Sequence, residues 1–291
     1  TPNIAGMTLI SDPTETRALP PSESTGTKIK KALGPIGVIG VVILKFIGKI
    51  KFILPILLKT GGSMVLMVGV YASIWGWKWA FGFVLLLLLH ECGHLLVAKK
   101  FGLAVSAPMF IPFMGAFIAL KEAPRNAWME ACVGIGGPIL GSLAAAACHA
   151  LGLALNYPLL IALAWTAYFL NLFNLTPVGM LDGGRIVTAL SPWLWLPGFA
   201  ALGWLAWTHP NFIVWILLFA SLPRIFSLFR KRTAEEQRYF EVAWPQRWLM
   251  GAMYFGLIGA LVLGMHVSHL QLMERVHSAR QKYEQTFPQA E

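Results

Sequence analysis

His90, Glu91 and His94 stand in the five-residue stretch HECGH, at the end of the apolar run FVLLLLL. In a helix, residues four apart share one face, so His90 and His94 can offer two imidazoles to one metal ion. Glu91, one position along, is close enough to hold a water at that metal. Two ligands and a general base are the physical content of the H-E-x-x-H zinc pattern. Chance is a poor alternative: with 7 His in 291 residues, shuffling gives this pattern in roughly one chain per hundred or fewer. Ionisable groups inside an apolar span are costly to bury, and function is the default reason to find them there.

A tetrahedral zinc site with one open position takes a third protein ligand. The chain has two Asp, and Asp12 lies in a polar N-terminal stretch. Asp182 lies in NLFNLTPVGMLDGGRI, at the end of the apolar stretch 158–180. His90 precedes Lys99 by nine residues, about 13 Å of helical rise, and Asp182 lies just before Arg185. If the stretches at 80–98 and 158–180 run in the same direction, both groups sit at similar depth and can meet. Pro177 and Gly179 are expected to unwind the later helix. Gly183 and Gly184 let backbones approach closely. Broken helices at membrane depth occur where they line a cavity.

The elements that must position these residues are apolar. The chain is 57% hydrophobic and 12% charged, with a mean hydropathy of +0.65. Soluble domains carry roughly 25% charged residues. An all-α polytopic membrane protein with about seven transmembrane helices is expected, at 62–77, 80–98, 127–152, 158–180, 193–208, 211–229 and 248–268. Trp75, Trp77, Trp79, Trp128, Trp193 and Trp248 fall near the ends of these spans, as interfacial Trp does. The net charge is +10, but no basic block alternates with aromatics on a polar face, so nucleic acid is not an expected partner. Cys92, Cys132 and Cys148 fall inside spans and read as small core residues rather than a disulfide framework.

Residues 1–27 are polar and read as disordered, without a cleavable signal pattern. Residues 28–60 carry Lys28, Lys30, Lys31, Lys45, Lys49, Lys51 and Lys59. They suit a basic amphipathic segment on an anionic leaflet, with a short span at 33–44 as the other reading. The core is expected over 62–229, a cytoplasmic basic linker over 230–247, one further span at 248–268 and a polar C-terminal tail at 269–291. With a cytoplasmic N-terminus, the inner loops collect Lys99, Lys100, Lys121, Arg125, Arg185, Arg224, Arg230, Lys231, Arg232, Arg238 and Arg247. The short outer loops collect Lys78 and little else, which sets the orientation by the positive-inside rule. A multi-pass protein of the cell membrane, the inner one in a bacterium, is expected.

One stretch breaks the alternation. FGLAVSAPMFIPFMGAFIAL, residues 101–120, would invert every later loop if it crossed the membrane. It must therefore enter and leave on the cytoplasmic side. Its Val, Phe and Ile content, punctuated by Pro108, Pro112 and Gly115, suits a re-entrant β-hairpin. His149 reads as a packed or interfacial histidine, and Glu130 as facing the interface or paired with Arg125. Asn171, three residues before Asn174, suits either the lining of a cavity or an interhelical hydrogen bond.

HECGH in one span and NLTPVGMLDGG in a later one resemble the site-2 protease family of intramembrane zinc metalloproteases. That family pairs an HExxH span with a later N-x-x-P-x-P-x-L-D-G-G span. Asn174, Pro177, Leu181, Asp182, Gly183 and Gly184 match, and Gly179 stands in place of the second Pro. The hairpin FIPFMGAFIAL and GIGGP at 134–138 are also similar to family features. The resemblance covers about residues 62–229 and looks like a minimal member without PDZ-like or CBS-like domains. It implies an intramembrane zinc endopeptidase acting in regulated proteolysis of transmembrane protein substrates within a lipid bilayer. His90, His94 and Asp182 would hold one Zn²⁺ per chain, Glu91 would be the base, and Asn174 a hydrogen-bond donor to the substrate or oxyanion.

A catalytically silent helix-binding membrane protein could dispense with Glu91. A zinc transporter would string its ligands along a path. Within the protease reading, a peptide must be extended at the scissile bond, and a hairpin dipping into the membrane has an edge that needs a partner. Phe110, Ile111, Gly115, Ala116, Phe117 and Ile118 are therefore the expected substrate-binding edge. The substrate's identity and the oligomeric state are not legible in the sequence.

Overall fold

The computed structural model describes residues 61–286. The expectations for 1–27 and 28–60, the 33–44 span among them, lie outside the described residues.

The long apolar runs form helices because few breakers interrupt them. Helix α1 spans Gly62–Trp75 and α2 spans Trp77–Lys100, with Gly76 at φ 84° making the turn between them. Lys99 and Lys100 close the last turn of α2, where cations complement the helix dipole. Helix α3 spans Ala127–Ala154, and the Asn126 side chain caps it by accepting from the Met129 N–H at 2.8 Å. Helix α4 spans Pro158–Asn174, with Pro158 at the first position, where its missing N–H costs nothing. The chain is then irregular until α5, Asp182–Leu190, so the expected break around Pro177 and Gly179 occurs. A short 3₁₀ turn at Pro192–Leu194 leads to α6, Trp195–Thr208. Helix α7 spans Phe212–Phe229, α8 spans Ala234–Tyr239, and α9 runs from Trp244 to Thr286.

Four of the described helices are long and apolar enough to cross a bilayer: α2, α3, α7 and α9. They are four of the seven spans expected. Helices α1 and α4 are apolar but shorter. The 14 residues of α6 rise about 21 Å, short of a hydrocarbon core of about 30 Å. The end expected at residue 268 is not a helix end. No Gly or Pro follows Gly264 before Pro288, and α9 continues through Thr286. The 230–247 linker contains α8, nucleated by a capping box between Thr233 and Glu236.

The hairpin is present. Strands β1, Met109–Ile111, and β2, Gly115–Phe117, pair antiparallel with Phe110 opposite Ala116. Phe113 at φ 66° and Gly115 at φ 96° make its turn. A bridge between Val105 and Leu120 extends the pairing towards its base. The hairpin is fastened to α1: Phe110 N–H of β1 donates to Ser63 Oγ at 3.2 Å, and Phe113 N–H of the turn donates to the Tyr71 hydroxyl at 2.9 Å.

The helices close around small residues. A Cβ on Gly93 of α2 would lie 2.2 Å from the Gly136 carbonyl oxygen of α3, and one on Gly136 would lie 2.7 Å from the Gly93 oxygen. This backbone-to-backbone approach is how membrane helices pack when burial alone does not drive them together. The main core lies between α3, α4, α5 and α9 and includes Ile135, Tyr168, Leu175, Ile186, Met250 and Leu261. Cys92, Cys132 and Cys148 are free and half-buried.

Candidate metal centre

Helix α2 presents His90 and His94 on one face, and their Nε2 atoms lie 3.1 Å apart. Asp182, the first residue of α5, puts Oδ2 at 3.1 Å from His90 Nε2 and 3.3 Å from His94 Nε2. The three donors thus form a near-equilateral triangle. His90, Glu91, His94 and Asp182 are each between 4% and 8% exposed.

The far nitrogen of each imidazole fixes its tautomer. His94 Nδ1–H donates to the Val133 carbonyl at 2.7 Å, an acceptor that cannot donate in return. His90 Nδ1–H donates to Asn171 Oδ1 at 2.9 Å. Asn171 is oriented for that role because its Nδ2–H donates to the Ala167 carbonyl at 2.8 Å. Both Nε2 lone pairs therefore point at each other and at a carboxylate oxygen. Such a triangle of lone pairs is held together by a cation at its centre or by a proton on one of the nitrogens. Donors at about 2.0 Å from a tetrahedral Zn²⁺ are about 3.3 Å apart, which matches the observed spacing. The residues fit a zinc ion.

Close backbone contacts bring the third corner into place. A Cβ on Gly183 would lie 2.0 Å from the Leu175 carbonyl oxygen, and one on Gly184 would lie 2.3 Å from that of Val178. The first turn of α5 thus rests on the unwound backbone after α4, as the Gly-Gly pair led one to expect. A Cβ on Gly179 would lie 2.9 Å from Ser221 Oγ of α7. Helix α7 occupies the space that a Pro ring at this position would need.

Glu91 points into the same region, and the ligand atoms of His90, Glu91 and His94 lie within 4.8 Å of one another. The four residues line a cavity of about 250 Å³, together with Asn174, Arg185, Leu217 of α7 and Met114 through Leu120 of the hairpin, except Gly115 and Ala119. Asn174 Nδ2 is 3.5 Å from His90 Nε2. Of the six expected edge residues, Ala116, Phe117 and Ile118 reach the cavity. Phe110 is instead buried with Met67, Tyr71 and Phe83. Ile111 and Gly115 lie at the turn end of the hairpin, away from the cavity lining.

Sequence reasoning left Asn171 between two roles; its side chain holds His90. The Val133 carbonyl, Arg185 and Leu217 were not anticipated, since a main-chain acceptor and a single Leu carry no pattern. Glu130 does not pair with Arg125. It is buried, accepts from Arg224 Nη2 at 2.9 Å and from the Tyr239 hydroxyl at 2.7 Å, because a carboxylate at that depth requires donors on both oxygens. Burial and the Glu130 carboxylate push the Tyr239 phenol upward, so it stays a donor. His149 is packed and meets Gln271 Oε1 at 2.6 Å.

Residues 78–161 match the model of peptidase family M50, the site-2 protease family. The matched stretch is similar to that family and holds His90, Glu91 and His94. A zinc metalloprotease of Methanocaldococcus jannaschii is 35% identical over 38% of this chain and 34% of its own length. A probable chloroplastic zinc metalloprotease of Arabidopsis thaliana is 26% identical over 37% of this chain and 28% of its own. The chain therefore spans about a third of the length of these curated relatives. The similarity to membrane-protein family M50 and the apolar helices together support a multi-pass membrane protein.

A Cβ on Gly137 would lie 2.2 Å from His94 Nε2, whereas one on Gly259 meets nothing within 4 Å. Gly137→Ala is expected to weaken zinc binding at least about tenfold, the lower end of the loss seen when a ligand's surroundings are disturbed. Gly259→Ala should leave it unchanged. Chelator competition on the purified protein measures both, and equal affinities would contradict the placement of His94.

Proposed function

We propose that the protein is an intramembrane zinc endopeptidase that hydrolyses peptide bonds within or near transmembrane segments of membrane-protein substrates. The observation that carries this reading is the convergence of two lone-pair imidazole nitrogens and a carboxylate beside buried Glu91, in a cavity edged by a β-strand. His90, His94 and Asp182 are the proposed ligands of one Zn²⁺ per chain. Bound zinc would supply Lewis acidity, which activates water near neutral pH and polarises a carbonyl.

The protein's own groups do the rest. Asn171 and the Val133 carbonyl hold the two imidazoles with Nε2 unprotonated. Glu91, with no assigned ligand role, takes the proton of the attacking water and returns it to the leaving amine. Asn174, on the cavity wall, offers its N–H to the substrate carbonyl oxygen. Burial of His90, Glu91, His94 and Asp182 keeps bulk water from competing for these contacts.

The hairpin supplies the place for the peptide. Phe110 N–H points out of the hairpin to Ser63, so its cross-strand partner Ala116 directs its own N–H and C=O out of the opposite edge. Ile118 follows with the same alternation. No described residue bonds to either group from that side, and both residues line the cavity. An extended substrate added there would present its carbonyl towards His90, His94 and Asp182. The cation distribution supports a cytoplasmic N-terminus, with the hairpin entering from that side.

Glu91→Gln removes the base and no ligand. It is expected to retain about one zinc per chain while cleavage of a model transmembrane peptide falls by at least about a hundredfold. Metal loss, or normal turnover, would contradict the assignment.

Ala116→Pro and Ile118→Pro each delete an outward N–H without removing a bond of the hairpin. Each is expected to cut cleavage about tenfold or more at constant zinc content. Normal cleavage by both would make the hairpin a structural plug instead.

A further inference from the structure

The carbonyl of Gly184, two residues after Asp182 in the first turn of α5, is heavily bonded. It accepts from Trp195 Nε1 at 2.8 Å, Arg224 Nη1 at 3.2 Å and Thr188 Oγ1 at 3.0 Å. The other terminal nitrogen of Arg224 reaches Glu130 Oε1 at 2.9 Å, and the guanidinium lies 5.2 Å from the centre of the Trp195 ring. Tyr239 of α8 takes the remaining carboxylate oxygen at 2.7 Å. Arg224 thus bridges two elements with one planar fork: α3 through Glu130, and α5 through Gly184.

Those two elements carry the metal centre's supports. One turn after Glu130, Val133 holds His94 by its carbonyl. Gly134 abuts α5 so closely that a Cβ there would lie 3.3 Å from the Asp182 carbonyl oxygen. Helix α5 has only nine residues, with irregular chain before it and a 3₁₀ turn after it. Nothing in its own length fixes where its first residue sits along α3. A ligand must be held within about 0.5 Å to be useful. A partly exposed ion pair such as Arg224–Glu130 is a poor source of stability. Its better-attested use is to fix one arrangement among several.

We propose that Arg224 is a positioning residue for Asp182, locking the first turn of α5 against α3 through Gly184 and Glu130. The inference rests on Asp182 being a zinc ligand. It follows that α7 and α8, which supply Arg224 and Tyr239, bear on metal affinity although neither supplies a ligand.

The test is a zinc-affinity cycle on the full chain in detergent, by chelator competition, with the visible spectrum of the Co²⁺-loaded protein as a second readout. Arg224→Gln is expected to weaken zinc about tenfold, in the range for groups that orient a ligand, and to alter the cobalt bands. Arg224→Lys should recover only part, because an ammonium cannot fork to both partners. In an Asp182→Ala background the Arg224→Gln change should cost less than about twofold, as no ligand remains to be placed. Trp195→Phe and Glu130→Gln carry the same expectation in milder form and serve if Arg224→Gln does not fold. Zinc affinity within twofold of wild type and an unchanged cobalt spectrum would overturn the proposal, as would an undiminished Arg224→Gln effect in the Asp182→Ala background. If Asp182→Ala itself binds zinc normally, the ligand assignment fails, and this inference with it.

Discussion

Two neutral imidazoles and a carboxylate do not hold their lone pairs face to face at 3.1–3.3 Å unless positive charge lies between them. The architecture around HECGH serves that convergence. Glycines at 93 and 136 let α2 and α3 touch backbone to backbone, which brings the Val133 carbonyl within reach of His94. Helix α4 stops at Asn174 and leaves Asn171 one turn back to hold His90. The unwound chain that follows offers carbonyls against which a Gly-Gly turn can pack, and Asp182 stands at its start.

The same constraint explains why so many polar groups are tolerated in an apolar bundle. A membrane core charges heavily for an unpaired donor or acceptor. Asn171 therefore uses both ends of its amide, and Glu130 both oxygens. Each is bound to something that must be in register with the metal centre. Polar groups that are fully satisfied specify one arrangement, whereas half-satisfied ones would favour several.

Much of the centre was legible in the sequence because helical periodicity is rigid. The i, i+4 spacing alone puts His90 and His94 on one face, and the scarcity of Asp singles out Asp182. The hairpin was legible because a span there would contradict the cation pattern. Its fine structure was not: Phe110 was expected at the substrate edge, but the parity of the strand turns it onto Tyr71 and Phe83. Glu130 finds Arg224 across 94 residues, and no local pattern encodes a contact of that range. Helix α5 was invisible for a related reason, since Asp-Gly-Gly reads as a turn, and only packing against α3 and the 175–178 backbone makes it helical. Helix α9 runs on past the span expected to end at residue 268, because a fall in hydrophobicity does not by itself end a helix.

The central claim is that the metal is held by two histidines and an aspartate. X-ray absorption at the zinc edge of the purified protein reads that shell directly. The account predicts only nitrogen and oxygen donors at about 2.0–2.2 Å, with the multiple-scattering signature of two imidazoles. A sulfur donor at about 2.3 Å, which Cys92 between the two histidines could supply, or a third imidazole would contradict it.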